Sequence, residues 1–325
     1  MTICVKVLLH DEYVLLKKWL KFAVVIKTRK FIPQHYIPLK LPGMRKYLLL
    51  TLSTLMLSVA VLCQKTSAYE IYALKYASLA KKTTLAEWVE GGPKDSTDSY
   101  FMFWLIKDNK GKNILVDAGC SCSTPAAIDF GLTNCIRQDS LLMQLGIKAS
   151  DITDIIVTHP HWDHINGINL FPNAQIWMQK EDYNYYTGGA WQKDGKHGGF
   201  VKDEVLYLVG KNVEGKVTLV DGDNKEIFPG IKVYTGSRHT YNSQYVGVQS
   251  GDDRIIIASD NIWFYYSLEH MRPAPSYGTF DSTGYVAAMK RMKTLASKPA
   301  FILAGHDPRA FSQFPKVTAD IARVK

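Results

Sequence analysis

An excess of positive charge is missing from most of this chain, although the total suggests otherwise. The 325 residues carry 39 Lys/Arg against 30 Asp/Glu, a net charge of +9. Residues 1–68 hold eleven of those bases and only Asp11 and Glu12 as acids, so residues 69–325 balance at 28 against 28. A neutral body carries no basic excess for a phosphate backbone, which weighs against nuclease and phosphodiesterase readings. Cysteine is scarce too. Cys4 and Cys63 lie in the basic N-terminal stretch, and Cys120, Cys122 and Cys135 remain, an odd set that suits no four-ligand zinc site. In an exported chain Cys120 or Cys122 can close onto Cys135 and leave one thiol free. No nucleophile elbow and no Ser/His/Asp setting is visible, so no serine or cysteine nucleophile is expected. Repeats and low-complexity tracts are also lacking. Hydrophobic residues at 46% and charged residues at 21% are ordinary globular values, enough for a sizeable core.

The N-terminal stretch reads as a targeting segment. Met44-Arg45-Lys46, an apolar run from Tyr47 to Cys63 and Ala68 before Tyr69 predict a secretory signal peptide over 44–68, cleaved after Ala68. Export to the periplasm or beyond follows, with no stable membrane span afterwards. A retained anchor is the alternative, at the short limit of spanning length. Residues 1–43 are read as an upstream extension outside the fold, with Met44 as the true start. Residues 69–325 are then a single catalytic domain.

Within it, apolar and aromatic runs predict strands at Tyr69–Ala77, Tyr100–Lys107, Asn113–Val116, Ile152–Val157, Ala174–Met178, Val217–Val220, Ile231–Thr235, Tyr245–Gln249, Arg254–Ala258 and Ala300–Leu303. Helical spacing predicts helices at Ile136–Leu145, Lys180–Tyr186 and Ser282–Leu295. Thr187–Gly199 is glycine-rich and reads as a long loop.

Histidine is rare, nine in all, yet three fall within six residues in His159-Pro160-His161-Trp162-Asp163-His164, just past a β-branched strand. Alternate residues of an extended segment point the same way, so His159 and His161 can share one ion while Asp163 and His164 face a second. Imidazole with carboxylate suits zinc. His239, Asp260 and His306 each stand one to four residues beyond a predicted strand, as His159 does, and complete two coordination spheres. His197 and His270 have no such setting and read as surface loop residues.

H-x-H-x-D-H followed by single His, Asp and His at strand ends resembles the metallo-β-lactamase superfamily over about residues 69–325. The resemblance implies an α/β (α+β) fold, an αββα sandwich of two mixed sheets flanked by helices. It also implies two Zn2+ per chain. One is held by His159, His161 and His239 and the other by Asp163, His164 and His306, with Asp260 bridging and Asp117 steadying the ligand loop. A bridging aspartate argues against true β-lactamases, and the 19 residues after His306 leave no room for the helical region of glyoxalase-II-like thioesterases. Gly305-His306-Asp307 with Phe314-Pro315 resembles the N-acyl-homoserine lactone lactonases. That implies lactone-ring opening by a metal-bridging hydroxide, with Asp163 and Asp260 as catalytic residues, a small lactone as substrate and no nucleic acid; a homodimer is compatible with it. One departure stands out: those lactonases carry a tyrosine three residues after the bridging aspartate, where this chain has Trp263. Tyr241, Tyr265 and Tyr266 are candidates for the missing phenol, and Trp88, Phe103, Trp162, Trp191 and Trp263 for an acyl-chain pocket. Another superfamily hydrolase of thioesters, esters or lactams, or a non-catalytic zinc-binding protein, are the alternatives.

Overall fold

Strand-forming residues come in two batches, and each batch builds a sheet. The structure, a computed structural model, describes residues 68–325. The expected extension over 1–43 and the signal segment as far as Ser67 lie outside those residues. The first sheet runs in the order Lys316–Thr318, Ile321–Arg323, Tyr69–Leu79, Tyr100–Asp108, Asn113–Val116, Ile152–Ile156, Gln175–Gln179 and Val217–Val220, with Leu132–Thr133 beside Tyr69–Leu79. Its last four strands are parallel and the others antiparallel. The second sheet runs Lys225–Phe228, Ile231–Thr235, Gln244–Ser250, Asp253–Ser259 and Ile302–Ala304, the last joining in parallel.

The period of two along Tyr100–Asp108 shows how the layers form. Met102, Trp104 and Ile106 face the core shared with Val246, Val248, Ile255 and Ile257 of the second sheet. Phe101, Phe103 and Leu105 face the opposite core, with Leu141 and Leu142 of helix Gln138–Met143, Tyr183 and Tyr186 of Lys180–Thr187, and Val205 and Leu208 of Lys202–Val213. Helix Ser282–Leu295 adds Tyr285, Ala288, Met289 and Met292, one face at helical spacing, to the second sheet's core. Its start is fixed by Asp281, whose side chain accepts from Gly284 N at 2.9 Å. The result is a helix–sheet–sheet–helix stack. Each fully buried Ile, Leu or Phe adds roughly 1.5–3 kcal/mol, so the two cores set its stability.

Several local expectations change. Helix Lys202–Val213 was not foreseen, because a glycine-rich run precedes it and Gly210 interrupts its pattern. Pro299–Phe301 forms a 3-10 turn, so the strand expected from Ala300 starts at Ile302, and it is not the last, since Lys316–Thr318 and Ile321–Arg323 follow it. Phe103 lies within a strand and packs in the outer core against Tyr76, not in a pocket. His197 is exposed and stacks on Trp191, whereas His270 ends the helix Tyr265–His270 instead of lying in a loop. Among the described residues no helix is long and apolar enough to cross a membrane.

The cysteine alternatives resolve to Cys122–Cys135, with Cys120 buried and its sulfur 3.6 Å from the Tyr76 hydroxyl. Closing that short loop restricts the unfolded chain and stabilises the fold by about 3 kcal/mol. Cys122→Ser with Cys135→Ser is expected to shift the denaturant midpoint accordingly, and a midpoint indifferent to reductant in the unmutated protein would contradict the pairing.

Candidate metal centre

Each ligand residue follows the C-terminal end of a strand. Strand Ile152–Ile156 delivers Thr158, His159 and His161 on an extended segment, and the turn Trp162–Ile165 carries Asp163 and His164. His239 follows Ile231–Thr235, Asp260 follows Asp253–Ser259 and His306 follows Ile302–Ala304. Arg238 and Ser259, just before two of these residues, have left-handed backbone with φ of 51° and 49°, as does Asp117 at 61°. Strained backbone of this kind costs roughly 1–3 kcal/mol and persists where surrounding contacts impose it.

The side chains form two groups able to hold a metal ion: His159, His161 and His239, and Asp163, His164, Asp260 and His306. Within each group the ligand atoms lie within 4.8 Å of one another. Asp260 stands between the groups. Its Oδ2 is 3.1 Å from His306 Nε2, 3.6 Å from His239 Nε2 and 3.9 Å from His159 Nε2, while Oδ1 is 3.4 Å from His164 Nε2. Asp163 Oδ2 is 3.2 Å from His164 Nε2.

Partners on the far ring nitrogens decide which nitrogen faces inward. His164 Nδ1 donates to Asp117 Oδ2 at 2.9 Å, His239 Nδ1 to the Gly278 carbonyl at 2.8 Å and His306 Nδ1 to the Tyr100 carbonyl at 2.9 Å. Each therefore presents Nε2. His161 differs, turning Nδ1 toward His239 Nε2 at 3.1 Å. Asp117 also accepts from Thr158 N, Thr158 Oγ1 and Ser259 Oγ, all at 2.8 Å, which ties the ligand loop to both sheets.

Burial and crowding set the protonation. Burial, reinforced by His239, pulls His161 down to about 3, and burial with the neighbouring His164 holds His159 well below the usual imidazole value. Burial also lowers His239. Burial opposes charge on His164 and His306 too, yet the carboxylates outweigh it and raise both rings. The rings of the first group are thus shifted toward the neutral form that ligates a cation, and the two raised rings of the second toward the protonated form that a bound cation would displace. Three buried atoms, Nε2 of His159, Nε2 of His164 and Oδ1 of Asp260, have no hydrogen-bond partner. Bare buried polar atoms cost roughly 1–3 kcal/mol each, and cations set among them satisfy all three. Five imidazoles and two carboxylates are a donor set that fits zinc.

All seven residues singled out from the sequence, and Asp117, are brought together. The candidate tyrosines make contacts outside both groups. Tyr241 stacks on Tyr185 at 4.4 Å, Tyr265 donates to the Ile302 carbonyl, and Tyr266 lies on His270. Trp191 stacks on His197. The groups meet Trp88, 5.3 Å from the His306 ring, Phe101, 4.7 Å from it, and Trp263, whose Nε1 donates to Asp260 Oδ2 at 2.8 Å. Phe101 and the Trp263–Asp260 bond were missed from the sequence; the bond's one signal was tryptophan at a position where the lactonases carry tyrosine, and Phe101 had none. Gly305 is needed for room, since a Cβ there would lie 2.3 Å from Asp260 Oδ1.

Behind the ligand turn, Glu204 lines a cavity of about 230 Å³ with Ile165, Asn166, Tyr207 and Leu208. Burial raises its carboxyl to about 8, against a hydrogen bond from Asn166. A folded value above the unfolded one gives stability that is complete below about pH 4.5 and lost as pH rises through 8. Glu204→Gln lacks that loss, so it should gain on the unmutated protein by about 1–3 kcal/mol between pH 6 and 9. Melting curves at the two pH values test this; parallel curves would show that Glu204 does not titrate there.

A sandwich of this order with ligands at its strand ends defines a class of metal-dependent hydrolases. The family model described as the metallo-beta-lactamase superfamily matches residues 99–306, and the chain belongs to that superfamily. Among characterised relatives, the N-acyl homoserine lactonase AttM of Rhizobium radiobacter is 26% identical over 56% of this chain and 67% of its own length. An N-acyl homoserine lactonase of Bacillus cereus is 24% identical over 52% of this chain and 61% of its own. Among solved structures, a quorum-quenching N-acyl homoserine lactone lactonase superposes with a TM-score of 0.59 at 21% identity, covering 75% of this chain and 93% of that one. A probable metal-dependent hydrolase from Staphylococcus aureus gives 0.61 at 16% identity, over 75% and 91%. The structural likenesses show the shared fold.

Proposed function

We propose that this chain is a dizinc hydrolase that opens the lactone ring of N-acyl-homoserine lactones. The observation that carries this reading is Asp260, one carboxylate within reach of imidazoles from both groups. Two zinc ions, when bound, supply a Lewis acid for the carbonyl and lower the pKa of a water to about 7. His159, His161 and His239 would hold one ion, Asp163, His164 and His306 the other, with Asp260 between. Asp163, the carboxylate not shared between groups, would carry a proton from the attacking water to the ring-opened alkoxide. Trp162 lies 6.4 Å from Phe101 and 5.7 Å from the half-exposed Phe130, which supports an apolar acyl group entering from that side. The lactonase relatives support the substrate class. Export is proposed with it, supported by the Cys122–Cys135 bridge, since such bonds persist in oxidising compartments.

Zinc-loaded protein mixed with a long-chain acyl-homoserine lactone is expected to release one proton per ring opened in a pH-stat. Turnover confined to thioesters, other esters or β-lactams would move the assignment elsewhere in the superfamily. Inactivity on a full ester panel would make this a zinc-binding protein without catalysis.

A further inference from the structure

An indole has one N–H and no acceptor, so what it donates to defines what it can do. Trp263 is 7% exposed and directs Nε1 to Asp260 Oδ2 at 2.8 Å. Three contacts hold the ring in that direction. It stands edge-on to Trp88 at 5.3 Å and 89°, and to His239 at 5.3 Å and 76°. The Gly278 backbone closes its far edge, where a Cβ would come within 2.2 Å of the ring. The main chain is pinned as well, Trp263 N donating to the Tyr285 hydroxyl at 3.3 Å and Trp263 O accepting from His306 N at 3.0 Å. One residue thus touches Asp260 through its N–H, His239 through its ring and His306 through its backbone.

The carboxylate torsion of an aspartate is broad and two-fold, with nothing intrinsic to select one rotation. At Asp260 the rotation matters, because Oδ2 is the oxygen nearest His306, His239 and His159 while Oδ1 faces His164. We propose that Trp263 is the positioning residue for Asp260. Its fixed N–H selects the rotation that gives each group an oxygen, and so sets how tightly the centre holds its second cation. The proposal rests on the dizinc reading. It separates this chain from the lactonases with tyrosine at the same spacing, because an N–H committed to Asp260 has nothing left to offer a substrate carbonyl.

The test compares Trp263→Phe with site-specific replacement of Trp263 by its benzothiophene analogue, which keeps the two-ring shape and lacks the N–H. Zinc titration against a chelator is expected to show one ion retained about 10–100-fold more weakly in both, with the other little changed. The unmutated protein supplies a second readout without metal: the Trp263 indole proton should exchange slowly and its resonance should move in Asp260→Asn. Native affinity for both ions in the analogue, or an indole proton exchanging at the solvent rate, would overturn the positioning role alone. A native chain that binds no zinc in the same titration would overturn the dizinc reading instead.

Discussion

Asp260→Asn is expected to fold, to bind less zinc and to turn over about 10²–10³-fold more slowly, as follows from losing several kcal/mol of charge stabilisation at the reacting centre. The amide keeps the shape and removes the negative charge that both groups share. Burial works against ionisation of Asp260, yet His306 and His164 hold its carboxyl well below the ordinary aspartate value, which favours the charged form a cation would need. Asparagine offers one neutral oxygen and an NH2 that cannot ligate. His161→Ala should act in the same direction through the first group. Metal content by elemental analysis and turnover are expected to fall together in both variants; native turnover in either would refute the shared-carboxylate centre.

Asp117→Ala should cost about 3–5 kcal/mol of stability and weaken zinc binding about 10–100-fold, though Asp117 itself belongs to neither ligand group. Its carboxylate is fully buried and accepts from Thr158 N, Thr158 Oγ1, Ser259 Oγ and His164 Nδ1. Alanine leaves these donors bare and also has to adopt a φ of 61°, which is costly without the local bonding an aspartate makes there. The His164 ring would then be free to turn its other nitrogen inward. Denaturant midpoints and chelator competition measure the two effects separately, and native values in both would remove Asp117 from the support of this centre.

Much of this arrangement was legible in the sequence, for reasons that differ by element. Strand Ile231–Thr235 and helix Ser282–Leu295 were placed residue for residue, because an apolar run bounded by glycines and an aspartate cap are local signals. The seven ligands could be found because their chemistry is rare and each follows a strand end. What escaped was decided by distant contacts. Strands Lys316–Thr318 and Ile321–Arg323 are three residues each, pair with one another, and join the sheet where Ile321–Arg323 meets the edge of Tyr69–Leu79. The partner of Cys135 depended on Cys120 being buried beside Tyr76, 44 positions away. Trp263 was visible as a departure, but its bond to Asp260 required knowing where Trp88, Gly278 and His239 would press on the ring.

The ligands are divided between the two halves of the sandwich. His159, His161, Asp163 and His164 follow a strand of the first sheet, and His239, Asp260 and His306 follow strands of the second. Neither half can grip a pair of cations by itself. Each group draws on both sheets, so a cation held by either one would tie the two halves together at this edge.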